Sequence, residues 1–237
     1  MALRLALLRG FELSADGRVV VVPQNAERLL TFLALTGGTL RREYVAGSLW
    51  PESAESNAAA SLRTAVWRIQ QSAGHVIDAD RTRLHLADGV RVDVREATTL
   101  ALAVESRPDL TPDPGTLDLL DSELLPDWYD EWLPPHRERW RQTRLHSLES
   151  LALRMARVGR FAIAVDAALA AVRAEPLRES ANRCLIQVHL AEGNVYEARR
   201  VLDLHRKAIQ ADLGIEPSPQ LVALVSGPRR DEALTLR

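Results

Sequence analysis

The sequence predicts a mainly α protein with a small β component, on three observations. Gly159 and Gly193 stand 34 residues apart, each where a pair of amphipathic helices turns. Phe161, Ala164, Ala168 and Ala171 follow the first glycine, and Val195, Ala198, Leu202 and His205 follow the second at the same offsets. A period of that length, with small residues spaced for helix crossings, is the tetratricopeptide pattern. Alanine and leucine fill most apolar positions and aromatics make up only 5%, which favours helix. Alternating or β-branched runs bounded by turn residues fall within residues 3–94 and supply the β component.

Taken in order, Leu3, Leu5 and Leu7, then Phe11 and Leu13, alternate as a half-buried strand pair. Asp16-Gly17 is a hairpin turn signal and Arg18–Val22 is β-branched, so three short strands open the chain. Ala26, Leu29, Leu30, Phe32 and Leu33 form the apolar stripe of a first helix stopped by Gly37-Gly38. A second helix is expected over about Arg41–Trp50, ended by Pro51. A third runs over about Ser53–Ala73, with Gly74 just past its end. Val76-Ile77, a polar turn at Asp80-Arg81, the strand Arg83–Leu86, a turn at Asp88-Gly89 and the alternate valines of Val90–Val94 read together as a β-hairpin. Pro108, Pro112, Pro114 and Gly115 mark a connection between domains. The expected division is therefore residues 1–97, a link over 98–116, and a helical domain over 117–237. Helices dominate from about Arg137 to Val225, and Gly214, Pro217 and Pro219 break the last two.

A small sheet, three helices and a β-hairpin are the order of a winged helix-turn-helix, whose third helix enters the DNA major groove. At 100° per residue, Ala58, Leu62, Ala65, Val66 and Ile69 gather on one side of that helix. Asn57, Ala60, Thr64, Trp67, Arg68 and Gln71 gather on the other. Arginine can pair bidentately with guanine, and Asn, Gln and Thr make shorter polar contacts. Arg81 and Arg83 stand on the hairpin, within reach of a phosphate or a minor groove. The competing reading is a solvated helix face carrying two arginines.

Bulk properties allow either use. The net charge is −2, from 30 basic and 32 acidic residues, so any basic footprint is local. Residues 1–97 hold 12 Arg against 11 Asp and Glu. Among the basic residues only Lys207 is lysine, a compositional bias towards arginine that says little about function. The single cysteine, Cys184, lies on an apolar helix face beside Leu185 and Val188, as a core residue would. Residues 2–8 are too short for a signal peptide and are bounded by Arg9. No stretch approaches the ~20 apolar residues of a membrane span, so a cytoplasmic location is expected, without membrane contact.

Several motifs together resemble a known family. Leu49-Trp50-Pro51, Ala60-Ser61-Leu62-Arg63-Thr64-Ala65-Val66-Trp67-Arg68-Ile69 and Val90-Arg91-Val92-Asp93 resemble the DNA-binding domain of SARP-type activators, the actinobacterial antibiotic regulatory proteins, which carry an OmpR-type winged helix. Leu124-Leu125-Pro126-Asp127-Trp128-Tyr129-Asp130-Glu131-Trp132, Pro176-Leu177-Arg178-Glu179 and Leu213-Gly214-Ile215-Glu216-Pro217-Ser218-Pro219 resemble the bacterial transcriptional activator domain that follows it. The resemblance spans nearly the whole chain in the expected order. It implies groove contacts by Arg63, Thr64 and Arg68 and a wing arginine at Arg83. It also implies tandem binding to promoter repeats and recruitment of RNA polymerase. Trp67, Gln70 and Gln71 depart from the basic residues usual in OmpR-type helices; the ordinary role for Trp67 is packing against the wing.

Signals for catalysis are missing from the sequence. None of the six histidines stands in an HExxH or a Cys/His cluster, and a single cysteine builds no zinc site. No GxxxxGK[ST] or GxSxG occurs. Asp127, Asp130 and Glu131 cluster beside Trp128 and Trp132, which a glycosidase-like pair could exploit; acidic caps at a helix N-terminus are the simpler expectation. The sequence thus points to a non-enzymatic activator without metal or cofactor. Its candidate DNA contacts are Asn57, Arg63, Thr64, Trp67, Arg68, Gln71, Arg81 and Arg83. Double-stranded promoter DNA, RNA polymerase and a second copy on DNA are its expected partners. The alternative is a tetratricopeptide-type adaptor whose N-terminal domain binds protein rather than DNA.

Overall fold

The computed structural model describes residues 2–106 and 114–226, and within them the chain is mainly helical with a small sheet component. Contacts divide it into two compact units. One comprises Met1–Thr98 with Ser122–Arg141, the other Thr99–Asp121 with Gln142–Arg237.

The first unit opens as the sequence suggests, with β1 (Leu3–Ala6), β2 (Glu12–Ala15) and β3 (Arg18–Val19). Gly17, at φ +78°, sits in the turn between β2 and β3, a conformation that costs glycine nothing. Three helices follow: α1 (Gln24–Thr36), α2 (Arg42–Leu49) and α3 (Glu55–Ala73). Leu29, Leu30 and Leu33 of α1, Leu49 of α2 and Leu62 and Ile69 of α3 are fully buried. A two-residue strand, β4 (Leu40–Arg41), precedes α2 and pairs with β6 (Arg83–Leu86), which pairs in turn with β5 (Ile77–Ala79).

The hairpin expected over residues 76–94 is shorter than that. Only β5 and β6 form it, antiparallel around a turn at residues 80–82. β7 (Val90–Val92) leaves it and runs parallel to β1, with Leu3 opposite Val90 and Leu5 opposite Val92. It thereby completes a four-stranded sheet of order β3-β2-β1-β7. Val94 is not in a strand at all, because α4 (Asp93–Ser106) begins one residue before it. Asp93 explains the switch. Its buried carboxylate accepts from the Leu7 amide at 2.9 and 3.0 Å, from the Leu8 amide at 3.0 Å and from the Val94 amide at 2.6 Å. One side chain thus caps the first turn of α4 and pairs amides just beyond β1. Burial pushes this carboxyl above its ordinary range, against the pull of those amides.

Residues 122–133 belong to this unit and are not helical, so Asp127, Asp130 and Glu131 do not cap the first turn of a helix. Asp130 instead accepts from Arg28 of α1, with Nε at 2.8 Å. Phe32 meets Trp132 edge-on at 5.2 Å between ring centroids, and Phe11 stacks on Trp128 at 6.1 Å. The Arg137 guanidinium, on α6 (Pro134–Arg157), donates to the carbonyls of Leu124, Leu125 and Trp128 and so holds the segment in one conformation.

Helices make up the second unit: the later parts of α4 and α6, α5 (Pro114–Leu120), α7 (Phe161–Ala174), α8 (Glu179–Glu192), α9 (Val195–Leu213) and α10 (Pro219–Ser226). Helix therefore occupies both ends of the expected link. Pro108 and Pro112 lie outside the described residues. Gly159 and Gly193 stand in the turns α6–α7 and α8–α9 at φ +74° and +90°. Ala164, Ala167, Ala168 and Ala171 of α7 and Ala198 of α9 are fully buried, so small side chains mark the helix crossings as the spacing predicts. Two of the quoted motifs meet here. Glu179 accepts from the Ser218 amide at 2.9 Å, from its hydroxyl at 2.5 Å and from Arg183 at 2.7 Å. Cys184 is buried, with its Sγ 3.5 Å from the Glu149 carbonyl oxygen, and burial pushes the thiol up to about 12.

Candidate nucleic-acid interface

Helix α3 has the two faces its periodicity predicts. Ala58, Leu62, Ala65, Val66, Ile69 and Ala73 are buried. Asn57, Arg63, Thr64, Trp67, Arg68 and Gln71 are all exposed. Glu55 in the first turn is the helix's only carboxylate, where it complements the positive end of the dipole. The Thr64 hydroxyl donates to the Ala60 carbonyl at 3.0 Å, which leaves its oxygen free to accept from outside the helix. Trp67 is 59% exposed, so much of its indole faces solvent among polar neighbours.

The β5–β6 turn is held by Asp80. Its Oδ1 accepts from the amides of Thr82 at 2.6 Å and Arg83 at 2.8 Å, and from the Thr82 hydroxyl at 3.1 Å. Those amides, Thr82 first, hold the carboxyl below its ordinary range. Arg81 and Arg83 extend into solvent from this fixed turn.

Two basic residues that are not among the expected DNA contacts join them. Arg41 of β4 lies directly opposite Arg83 of β6, and both are exposed. Arg42 begins α2; its amide donates to the Thr82 carbonyl at 2.9 Å and its Nη1 to the Asp80 carbonyl at 3.3 Å. An adjacent arginine pair between a Gly-Gly stop and an apolar helix was the available signal. Arg42, Arg63 and Arg81 share the lining of a groove of about 1000 Å³ between α2, the start of α3 and the turn. Glu43, Glu55 and Asp80 also line it. The groove therefore carries both charges, and the carboxylate-free surface is α3 beyond its first residue. Arg68, Gln71 and Trp67 lie further along α3 and outside that groove.

Among the described residues no group of three or more His, Cys, Asp or Glu side chains could hold a metal, and no helix is long and apolar enough to cross a membrane.

In the first unit an exposed, carboxylate-poor helix face stands with an arginine-bearing hairpin, and the described residues of the second unit are mainly helical. Sequence comparison gives the family: residues 78–227 match the bacterial transcriptional activator domain, and the chain belongs to that family. It is 27% identical over 228 residues to the regulatory protein AfsR of Streptomyces griseus, a match covering 91% of this chain and 23% of that protein. Against AfsR of Streptomyces coelicolor it is 28% identical over 242 residues, covering 94% of this chain and 24% of the relative. The chain thus spans about a quarter of the length of these curated relatives. Its fold is similar to that of Mycobacterium tuberculosis EmbR, solved in complex with a low-affinity phosphopeptide. That match has a TM-score of 0.70 and 20% identity, and covers 94% of this chain and 64% of EmbR.

Proposed function

We propose that the chain is a DNA-binding transcriptional activator of the SARP type, working in the cytoplasm. In this reading residues 1–97 are an OmpR-type winged helix-turn-helix, with α3 as recognition helix and the β5–β6 hairpin as wing. Asn57, Arg63, Thr64, Trp67, Arg68 and Gln71 contact promoter repeats from the helix, and Arg81 and Arg83 from the wing. The helices of residues 117–237, apart from the stretch Ser122–Arg141 that belongs to the first unit, are a tetratricopeptide-like surface that touches RNA polymerase, a second copy on adjacent DNA, or both. No cofactor or metal enters this reading.

One observation carries it. In a member of the transcriptional activator domain family, the α3 surface beyond Glu55 is exposed, carries Arg63 and Arg68 and has no carboxylate. Phosphates are the abundant anions such a surface suits, and their neutralisation releases counterions. The test is a gel shift with a promoter fragment at rising salt. Affinity should fall steeply between low and physiological salt. Binding indifferent to salt, or no binding, overturns the proposal and favours the adaptor, which the near-neutral charge of residues 1–97 would suit.

A further inference from the structure

Trp67 is an anomaly on the face that carries the proposed function. Its neighbours one turn away are Arg63, Thr64 and Gln71, and Arg68 adjoins it. All are exposed, and Trp67 itself is 59% exposed. A single exposed aromatic is ordinary on a protein surface. One placed in the middle of a polar, carboxylate-free stripe is positioned to meet whatever that stripe meets. Among the described residues no ring stacks on it.

We infer that Trp67 reads thymine, by apolar contact between its indole edge and the C5-methyl group in the major groove. The inference rests on the reading of α3 as a DNA-recognition helix and deepens it. The major groove presents donors, acceptors and one apolar group, the thymine methyl. Apart from its N–H the indole edge is apolar, and that carbon edge is complementary to the methyl without unstacking bases. Its position also fixes where the thymine lies. Trp67 is one helical turn from Arg63, about 6 Å along the axis, and base pairs repeat every ~3.4 Å. The thymine therefore falls within about two base steps of the base or phosphate that Arg63 meets. Arg68, adjacent in sequence, anchors the other side.

Methyl deletion on the DNA tests this without altering the protein. A duplex is selected from a random library by the full 237-residue chain, and each thymine is then replaced singly by deoxyuridine, which keeps pairing and removes only the methyl. The wild type should lose affinity about three- to fivefold at one or two thymines, the effect of exposing one methyl group. Those thymines should lie within about two base steps of the position whose preference Arg63→Ala blurs. Trp67→Ala should bind the thymine and deoxyuridine duplexes equally. A wild type indifferent to every methyl overturns the inference while leaving DNA binding intact. So does a Trp67→Ala protein that loses as much as the wild type, since another group then reads the methyl. Failure to select or bind any duplex overturns the DNA-binding reading itself, and this inference with it.

Discussion

Arg41 and Arg83 stand directly opposite each other on β4 and β6. Side chains so paired share one face of the sheet, a few ångströms apart, and like charges there repel. A protein that folds with this juxtaposition carries a small cost in the free state that an anion between the two would remove. Replacing either arginine by threonine should raise the stability of the free protein slightly, by about 0.2–1 kcal/mol, and weaken binding to every DNA sequence alike. Each substitution should also reduce the slope of log affinity against log salt by about 1. Thermal melts at low salt and gel shifts across a salt series check the opposite signs. A loss of both stability and sequence preference would mean that the pair does something other than hold a phosphate.

Arg68 should differ in kind. It lies on the exposed face of α3 and is proposed to read a base. Arg68→Ala should cost about 1–3 kcal/mol on the specific site and relax preference at one position. Comparing selected-site profiles of wild type and variant decides it; identical profiles remove the base-reading role.

The turn that presents Arg81 depends on Asp80. Asp80→Ala removes the acceptor of two amides and a hydroxyl, so the turn loosens and Arg81 loses its fixed position. Binding should weaken uniformly, without a change in preferred sequence. Asp80 is held below its ordinary range by the amides of Thr82 and Arg83. A depressed carboxyl stabilises the fold above its unfolded-state pKa and ceases to do so as pH falls through the folded value. Wild type should therefore lose stability on acidification below the ordinary aspartate range, and Asp80→Ala should lose less. Urea midpoints across that pH window measure the difference.

Ala164 is fully buried where α7 crosses its neighbours. Ala164→Leu should overpack the crossing at about 1–3 kcal/mol, visible as a lower melting temperature. In the same unit, the Cys184 thiol, raised to about 12, should stay protonated and inert to iodoacetamide at pH 9 in the native protein. It should react promptly once urea unfolds the chain. Native reactivity equal to the unfolded rate would contradict the buried site.

What the sequence made legible was local. The faces of α3 follow from a 3.6-residue period, and Gly159 and Gly193 follow from the φ that a tight helix–helix turn demands. The partner of β7 was not legible, because alternating valines at 90, 92 and 94 say that a strand has a buried face and nothing about which strand lies beside it. Asp93 decided that, through amides 85 and 86 residues away. Arg28 and Asp130, paired across 102 residues, were hidden for the same reason. Arg41 and Arg42 were overlooked because their importance comes from register with β6 and from the Asp80 turn, neither of which leaves a periodic trace. Trp67 shares a helix face with Arg68 and Gln71 by spacing, but its 59% exposure could not be read, since an indole at that spacing suits a wing contact equally well.

The first unit is discontinuous in the chain, taking Ser122–Arg141 as well as Met1–Thr98. A ribosome delivering this protein therefore cannot finish the unit when residue 98 emerges. It must also make residues 99–121, which belong to the other unit, before Asp130 can reach Arg28 and Trp132 can reach Phe32. During that interval the face of α1 that takes Trp132 is bare. Nascent chains arrested with residue 104 exposed should thus be cut by protease faster than those arrested with residue 141 exposed. The regulator gains its full protection only when translation has passed well beyond the helix proposed to read DNA.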